Sequence, residues 1–273
     1  MSIEFASLNS GSNGNCYYVG NQEEAVLIDA GLSCKEIEKR MKQVNISMKK
    51  VKAVFISHEH IDHVKGIEVL SKKYDLPVYI SAKTKTNCRT PIPSNLIKGF
   101  FTNEIYTIGQ LQITSFSKSH DAVDPCSFVV SSSNYHVGVF TDIGHVCEKV
   151  KTHFSKCHAV FLEANYDEQM LENGSYPYHL KKRITSDEGH LSNNQAMELF
   201  LNHRSPQLSH LLLSHLSKEN NCPDLVSNFF KKNTTNTEII VASRYEPSKL
   251  YRIGQSIHHQ YVSNNPVQMQ LFG

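Results

Sequence analysis

His58, His60, Asp62 and His63, four side chains of metal-binding type, fall within six positions in the run Ser57-His58-Glu59-His60-Ile61-Asp62-His63. Imidazole nitrogens and carboxylate oxygens are the donors that hold hydrolytic divalent cations. The run before them, residues 51–56, is apolar and rich in β-formers, which predicts a buried strand. The stretch from about 64 to 74 has helical composition and ends before Leu76-Pro77. The cluster is therefore expected on a strand-to-helix turn, where side chains can converge above a sheet. His58 and His60, two apart, can share one ion; Asp62 and His63 point elsewhere and can serve a second. Fifteen histidines in 273 residues make chance neighbours common. H-x-H-x-D-H directly after an apolar strand is much harder to reach by accident.

That string is similar to the signature of the metallo-β-lactamase superfamily of dinuclear hydrolases, and the other motifs of that family can be found in order. Residues 25–31 form a strand-like run ending in Asp29. Ser119-His120-Asp121 follows the strand-like residues 111–116. Residues 138–144 carry Asp142 after a strand, and residues 211–217 carry His215 in the same position. The resemblance runs from Phe5 to about Tyr251. It implies one ion on His58, His60 and His120, a second on Asp62, His63 and His215, and Asp142 bridging the two. The implied nucleophile is a hydroxide activated by both ions, with Asp62 in the catalytic centre. Asp29 is expected behind these residues, accepting hydrogen bonds from a ligand histidine or the turn backbone. The β-lactamases themselves lack the bridging aspartate, so Asp142 points to the branch that cleaves phosphoesters or thioesters.

Three further segments narrow the expected substrate. Residues 162–167 and 189–193 resemble paired motifs of the nuclease branch that includes tRNase Z, where a glutamate orients a histidine that protonates the leaving oxygen. Here Glu163 and His190 would fill those roles, an effect of about 10²–10⁴-fold on rate. The plainer reading of His190 is a helix-start residue. Ser10-Gly11-Ser12-Asn13-Gly14-Asn15, residues 176–184 and residues 215–221 resemble strings of the YycJ/WalJ group of bacterial exonucleases. The resemblance implies 5′-to-3′ exonuclease activity on DNA. Ser12, Asn13 and Asn15 are then expected around an anion, and Ser217, Lys218 and Asn220 within reach of a metal-bound phosphate. Lys181, Lys182 and Arg183 would hold the strand farther out, unless they are simply a solvated charged face.

The rest of the chain must position these groups. Strand-like runs interleave with amphipathic helices, such as residues 34–44 with Ile37, Met41 and Val44 on one face, which indicates α/β packing. The resemblance makes this a four-layer αββα sandwich. No linker divides the chain, so residues 1–255 are expected as one domain and 256–273 as a tail. Net charge is +2, so any grip on nucleic acid must be local. Seven scattered cysteines without C-x-x-C, no signal peptide and no long apolar run together predict a cytoplasmic protein that does not enter a membrane. Five histidines and two aspartates suit Zn²⁺ or Mn²⁺ equally.

The tail ends in Gln268-Met269-Gln270-Leu271-Phe272, which resembles the peptide that binds the bacterial sliding clamp. Gln268, Leu271 and Phe272 are its expected contacts, and a clamp partner would place the enzyme in DNA replication or repair. An RNA-processing nuclease and a glyoxalase II-like thioester or lactone hydrolase are the alternatives. The second needs neither Glu163 and His190 nor a basic track.

Overall fold

Apolar side chains on both faces of a strand require a cover on each side, and this chain supplies both. The computed structural model describes residues 2–234 and 236–254. Among these, the first six strands are β1 (Ile3–Asn9), β2 (Cys16–Gly20), β3 (Ala25–Ile28), β4 (Val51–Phe55), β5 (Val78–Ile80) and β6 (Ile97–Gly99). The next seven are β7 (Ile105–Ile108), β8 (Leu111–Ser117), β9 (Cys126–Ser132), β10 (Tyr135–Phe140), β11 (Ala159–Glu163), β12 (His210–Ser214) and β13 (Glu238–Val241). A last strand, β14 (Tyr251–Ile253), returns to the edge of the first sheet. The sheets run β14-β1-β2-β3-β4-β5-β6 and β13-β12-β11-β10-β9-β8-β7.

Strand alternation sends successive residues into different cores. In β4, Val54 joins the outer core of the first sheet, whereas Ala53 and Phe55 enter the space between the sheets. In β12, Leu211 and Leu213 face outward and Leu212 inward. Aromatic pairs span the inner layer: Phe5 meets Phe161 edge-on with centroids 6.1 Å apart, and Phe55 meets Phe128 at 5.7 Å.

Helices cover the outer faces. They are α1 (Cys34–Gln43), α2 (Ile61–Val64), α3 (Ile67–Tyr74), α4 (Ala82–Asn87), α5 (Glu148–Phe154), α6 (Glu168–Asn173), α7 (Tyr178–Ile184), α8 (Asn193–His203) and α9 (Pro223–Lys231). Ile37 and Met41 of α1 and Ile67 and Leu70 of α3 complete the first outer core. Val150 of α5, Phe200 of α8 and Phe230 of α9 complete the second. The result is the αββα sandwich.

One expected element differs. The single helix from about 64 to 74 is broken into α2 and α3 at Lys65-Gly66. The Gly66 amide donates to the Ala30 carbonyl at 2.8 Å, and a Cβ there would overlap the Leu32 carbonyl. Only glycine permits that approach, so the chain turns and α2 presents its side chains separately from α3.

All seven cysteines are free thiols, and Cys16, Cys34, Cys126 and Cys157 are buried. Burial pushes the thiols of Cys16, Cys126 and Cys157 far above their ordinary range. They pack as small apolar side chains. Among the described residues no helix is long and apolar enough to cross a membrane.

Candidate metal centre

β3 and β4 run parallel, so Asp29 and His58 emerge from the same edge of the first sheet. In the second sheet β8 and β10 are both antiparallel to β9, and β10, β11 and β12 are parallel. Their C-terminal ends therefore share one edge, which delivers His120, Asp142, Glu163 and His215. Asp29 and His215 follow directly on strands and Asp142 one residue after, and all three are left-handed, at φ 63°, 56° and 55°. That conformation is uncommon outside glycine and costs free energy. It turns each side chain off the strand axis toward the gap between the sheets.

The groups converge there. His58 Nε2 lies 3.1 Å from His60 Nδ1. His63 Nε2 lies 3.4 Å from Asp142 Oδ2 and 3.6 Å from Asp62 Oδ2. His215 Nε2 is 3.8 Å from Asp62 Oδ2, and His120 Nε2 is 3.9 Å from Asp142 Oδ1. Two donors on one tetrahedral cation at about 2.0–2.1 Å stand about 3.3 Å apart, so these separations fit shared cations. His120 Nε2, His215 Nε2 and Asp142 Oδ2 are buried without a hydrogen-bond partner. An orphaned buried polar atom costs about 1–3 kcal/mol, and a cation would satisfy all three. Among the described residues four groups are tight enough to hold an ion: His58, His60 and His120; Asp62, His63 and His215; His58, His63 and Asp142; and Asp142, Glu163, His190 and His215.

Charge is divided unevenly. Burial, with His63 and Lys118 nearby, holds His58 well below the usual imidazole range, and burial lowers His120 to about 4. Both are therefore neutral at pH 7, with lone pairs available. Burial also opposes charge on His63 and His215, but the surrounding carboxylates, Asp142 foremost, outweigh it and raise both. Burial would raise Asp142, yet the imidazoles of His215 and His63 draw it well below the carboxylate range.

A second set of bonds aims these residues. Asp29 Oδ2 lies 2.7 Å from His63 Nδ1 and accepts from Ser57 Oγ at 2.8 Å; its Oδ1 accepts from the Ser57 amide at 2.8 Å. Ser57 Oγ in turn lies 2.9 Å from His58 Nδ1. Glu163 is fully buried: Oε1 is 2.8 Å from His190 Nδ1 and 3.0 Å from His215 Nδ1, and Oε2 accepts from the Ile143 amide at 2.7 Å. Burial would raise its carboxyl, but His190 and His215 bring it down to about 2. His190 is not part of α8, whose N-cap is Ser192 in a capping box with Gln195. It faces the cleft, with 18% of its side chain exposed.

The residues expected to meet substrate separate into three groups. Ser12, Arg183 and Ser217 line the cleft with His60, His120 and His190. Asn15 and Asn220 are buried and are not part of its lining. Asn15 Nδ2 sits 3.0 Å from His63 Nε2 and 3.2 Å from Asp62 Oδ2, so it braces the cluster instead of surrounding an external anion. The Asn220 amide donates to Ser217 Oγ at 3.2 Å, fixing the turn behind the cleft. The third group lies outside the cleft wall. Asn13 donates to the Arg244 carbonyl at 2.9 Å, Lys181 to the Glu172 carbonyl at 2.6 Å, and Lys182 and Lys218 line neighbouring grooves. Gln268, Leu271 and Phe272 lie outside the described residues.

Several contributors are absent from the sequence-based expectation. Ser57 links Asp29 to His58. Asn165 donates to the His215 carbonyl at 2.8 Å. Asp121 pairs with Arg183 and places Oδ1 3.3 Å from His120 Nε2. Ser10 Oγ accepts from the His215 amide at 2.7 Å, which ties the N-terminal loop to the second sheet. Asp121 and Asn165 each stand within two positions of a residue already singled out, and that proximity was the available signal.

The sandwich and its edge cluster define a class of protein. Residues 24–215 match a family model described as a beta-lactamase superfamily domain. The chain belongs to the metallo-β-lactamase superfamily, and within it to the YycJ/WalJ group. It is 37% identical to the exodeoxyribonuclease YycJ of Bacillus anthracis, over 82% of this chain and 86% of that protein. It is 34% identical to the exodeoxyribonuclease WalJ of Streptococcus pneumoniae, with the same coverage of both chains. The crystal structure of YhfI from Bacillus subtilis, a metallo-β-lactamase fold protein, superposes with a TM-score of 0.71 at 18% identity, covering 92% of this chain and 99% of that one. Divalent metal is what this fold implies, and the donor set fits it.

Proposed function

We propose that the protein is a dinuclear metal-dependent phosphodiesterase, a 5′-to-3′ DNA exonuclease of replication or repair. The observation that carries the reading is His190, held by buried Glu163 at 2.8 Å on the wall of a cleft lined by three further histidines and two aspartates. The thiolate of a thioester leaves without needing such an acid, whereas a deoxyribose oxygen does need one. The exodeoxyribonuclease relatives support DNA as the substrate.

In this reading His58, His60 and His120 would hold one divalent ion, Zn²⁺ or Mn²⁺, and Asp62, His63 and His215 would hold the other, with Asp142 serving both. Bound there, such ions supply positive charge opposite a phosphate and lower the pKa of a water toward neutrality. The protein's own groups do the rest. Asp29 fixes the ring of His63 and, through Ser57, that of His58. Glu163 accepts from His190 Nδ1 and fixes the ring, leaving Nε2 to pass a proton to the departing oxygen. Arg183, oriented by Asp121, places a guanidinium beside the cleft for the phosphate backbone. Residues 1–255 form the catalytic domain in this account, and such a substrate puts the protein in the cytoplasm.

The test is digestion of 5′- and 3′-labelled duplex DNA, single-stranded DNA and RNA with Mn²⁺ or Zn²⁺. Labelled mononucleotide released first from the 5′ end of DNA is the expected result. Preferential loss of RNA, or turnover of thioesters without DNA cleavage, would overturn it. For the tail, a micromolar interaction with the sliding clamp is expected from so short a motif. Deleting residues 268–272 should remove it, and equal binding by both forms would refute the clamp contact.

A further inference from the structure

A second cavity of about 230 Å³ opens beside the cleft and shares Ser217 with it. Its floor is apolar, with Leu216, Val241 and Ala242 from the end of the second sheet. Its rim carries Lys218, Arg244 and Tyr245, and Tyr245 is 72% exposed. Arg244 lies beyond the residues that match the family model. Its position is built: the guanidinium packs on Gly11, where a Cβ would come within 2.7 Å of Nη2, and donates to the Leu216 carbonyl at 3.3 Å. The Arg244 carbonyl accepts from Asn13, and the Ser243 carbonyl from the Ser10 amide at 3.2 Å. Among the described residues Arg244 has no carboxylate partner, unlike Arg183, which is paired with Asp121. Glu219, next to Lys218 in sequence, is solvent-exposed and lies 3.7 Å from the Lys218 ammonium.

An apolar floor, an exposed phenol ring and an unpaired guanidinium match the three parts of a nucleotide end: base, stacking face and phosphate. The cavity opens on the Ser217 side of the cleft, while α7 with Leu180 and Arg183 forms another part of the wall. A strand entering along α7 would end in this cavity. We propose that the cavity is the subsite for the 5′-terminal nucleotide, with Arg244 binding its terminal phosphate and Tyr245 stacking on its base. The proposal rests on the nuclease reading above and adds the feature that would make the enzyme act from an end.

The experiment compares the full-length protein on one DNA duplex bearing either a 5′-phosphate or a 5′-hydroxyl. A charge-assisted pair predicts a preference of about 10- to 100-fold in kcat/KM for the phosphorylated end. In Arg244→Ala the preference should collapse toward one through loss on the phosphorylated substrate alone. Tyr245→Ala, at an exposed position, should raise KM on that substrate several-fold and weaken inhibition by thymidine 5′-monophosphate. An equal fall on both ends in Arg244→Ala, or unchanged inhibition in Tyr245→Ala, would overturn the assignment. Wild-type digestion of both ends without preference would remove the subsite and leave the nuclease standing. Digestion of neither would remove the nuclease reading and this subsite with it.

Discussion

Replacing Asp62 and His63 together by alanine should lower DNA digestion at least about 10³-fold and leave the purified protein short of metal. Loss of a group that merely orients a ligand costs 10–100-fold in such sites, and here two direct donors go at once. Asp62 Oδ2 stands between His63, His215 and the Asn15 amide. Without both, one ligand set keeps only His215, which also loses the carboxylate beside its Nε2, a group that favours its charge. The side chains leave the edge of the sandwich and none of its three apolar cores, so far-ultraviolet circular dichroism should be retained. Metal content and digestion rate of the folded variant are the measurements. Wild-type digestion by that variant would show that these two residues do not serve the chemistry.

His190→Ala should slow DNA digestion about 10²–10⁴-fold while metal content stays at the wild-type level. Its defect should depend on the leaving group. A ribose oxygen needs a proton as it departs, whereas p-nitrophenolate does not, so hydrolysis of bis-p-nitrophenyl phosphate should fall far less. Glu163→Gln should give a mixed defect, because the same carboxylate also contacts His215 Nδ1 and the Ile143 amide. Equal losses on both substrates in His190→Ala would make His190 a structural residue.

The centre was legible where chemistry is local or punctuated by strands. His58, His60, Asp62 and His63 lie in one run, and Asp29, Asp142 and His215 each end an apolar strand. Pattern alone places such residues on a common sheet edge. The left-handed backbone that turns them inward carries no signature in a histidine or aspartate. The substrate side was less legible, for two physical reasons. A short polar residue in a glycine-rich loop reads the same whether it cups an anion or braces a buried carboxylate; Asn15 does the second because its loop packs beneath α2, with its amide bonded to the Asp62 carbonyl at 2.7 Å. Three consecutive basic residues on a helix point about 100° apart, so of Lys181, Lys182 and Arg183 only Arg183 lines the cleft. Gly66 falls inside a run of helical composition, and its role emerges only from the closeness of residues 30–32.

Stripping the protein with a chelator and adding Mn²⁺ back stepwise, with DNA digestion read at each step, tests the account most directly. Activity should be absent at the start, rise with added ion and reach its plateau at two ions per chain. Full digestion by the stripped protein, or a plateau that bears no relation to ions bound, would contradict it.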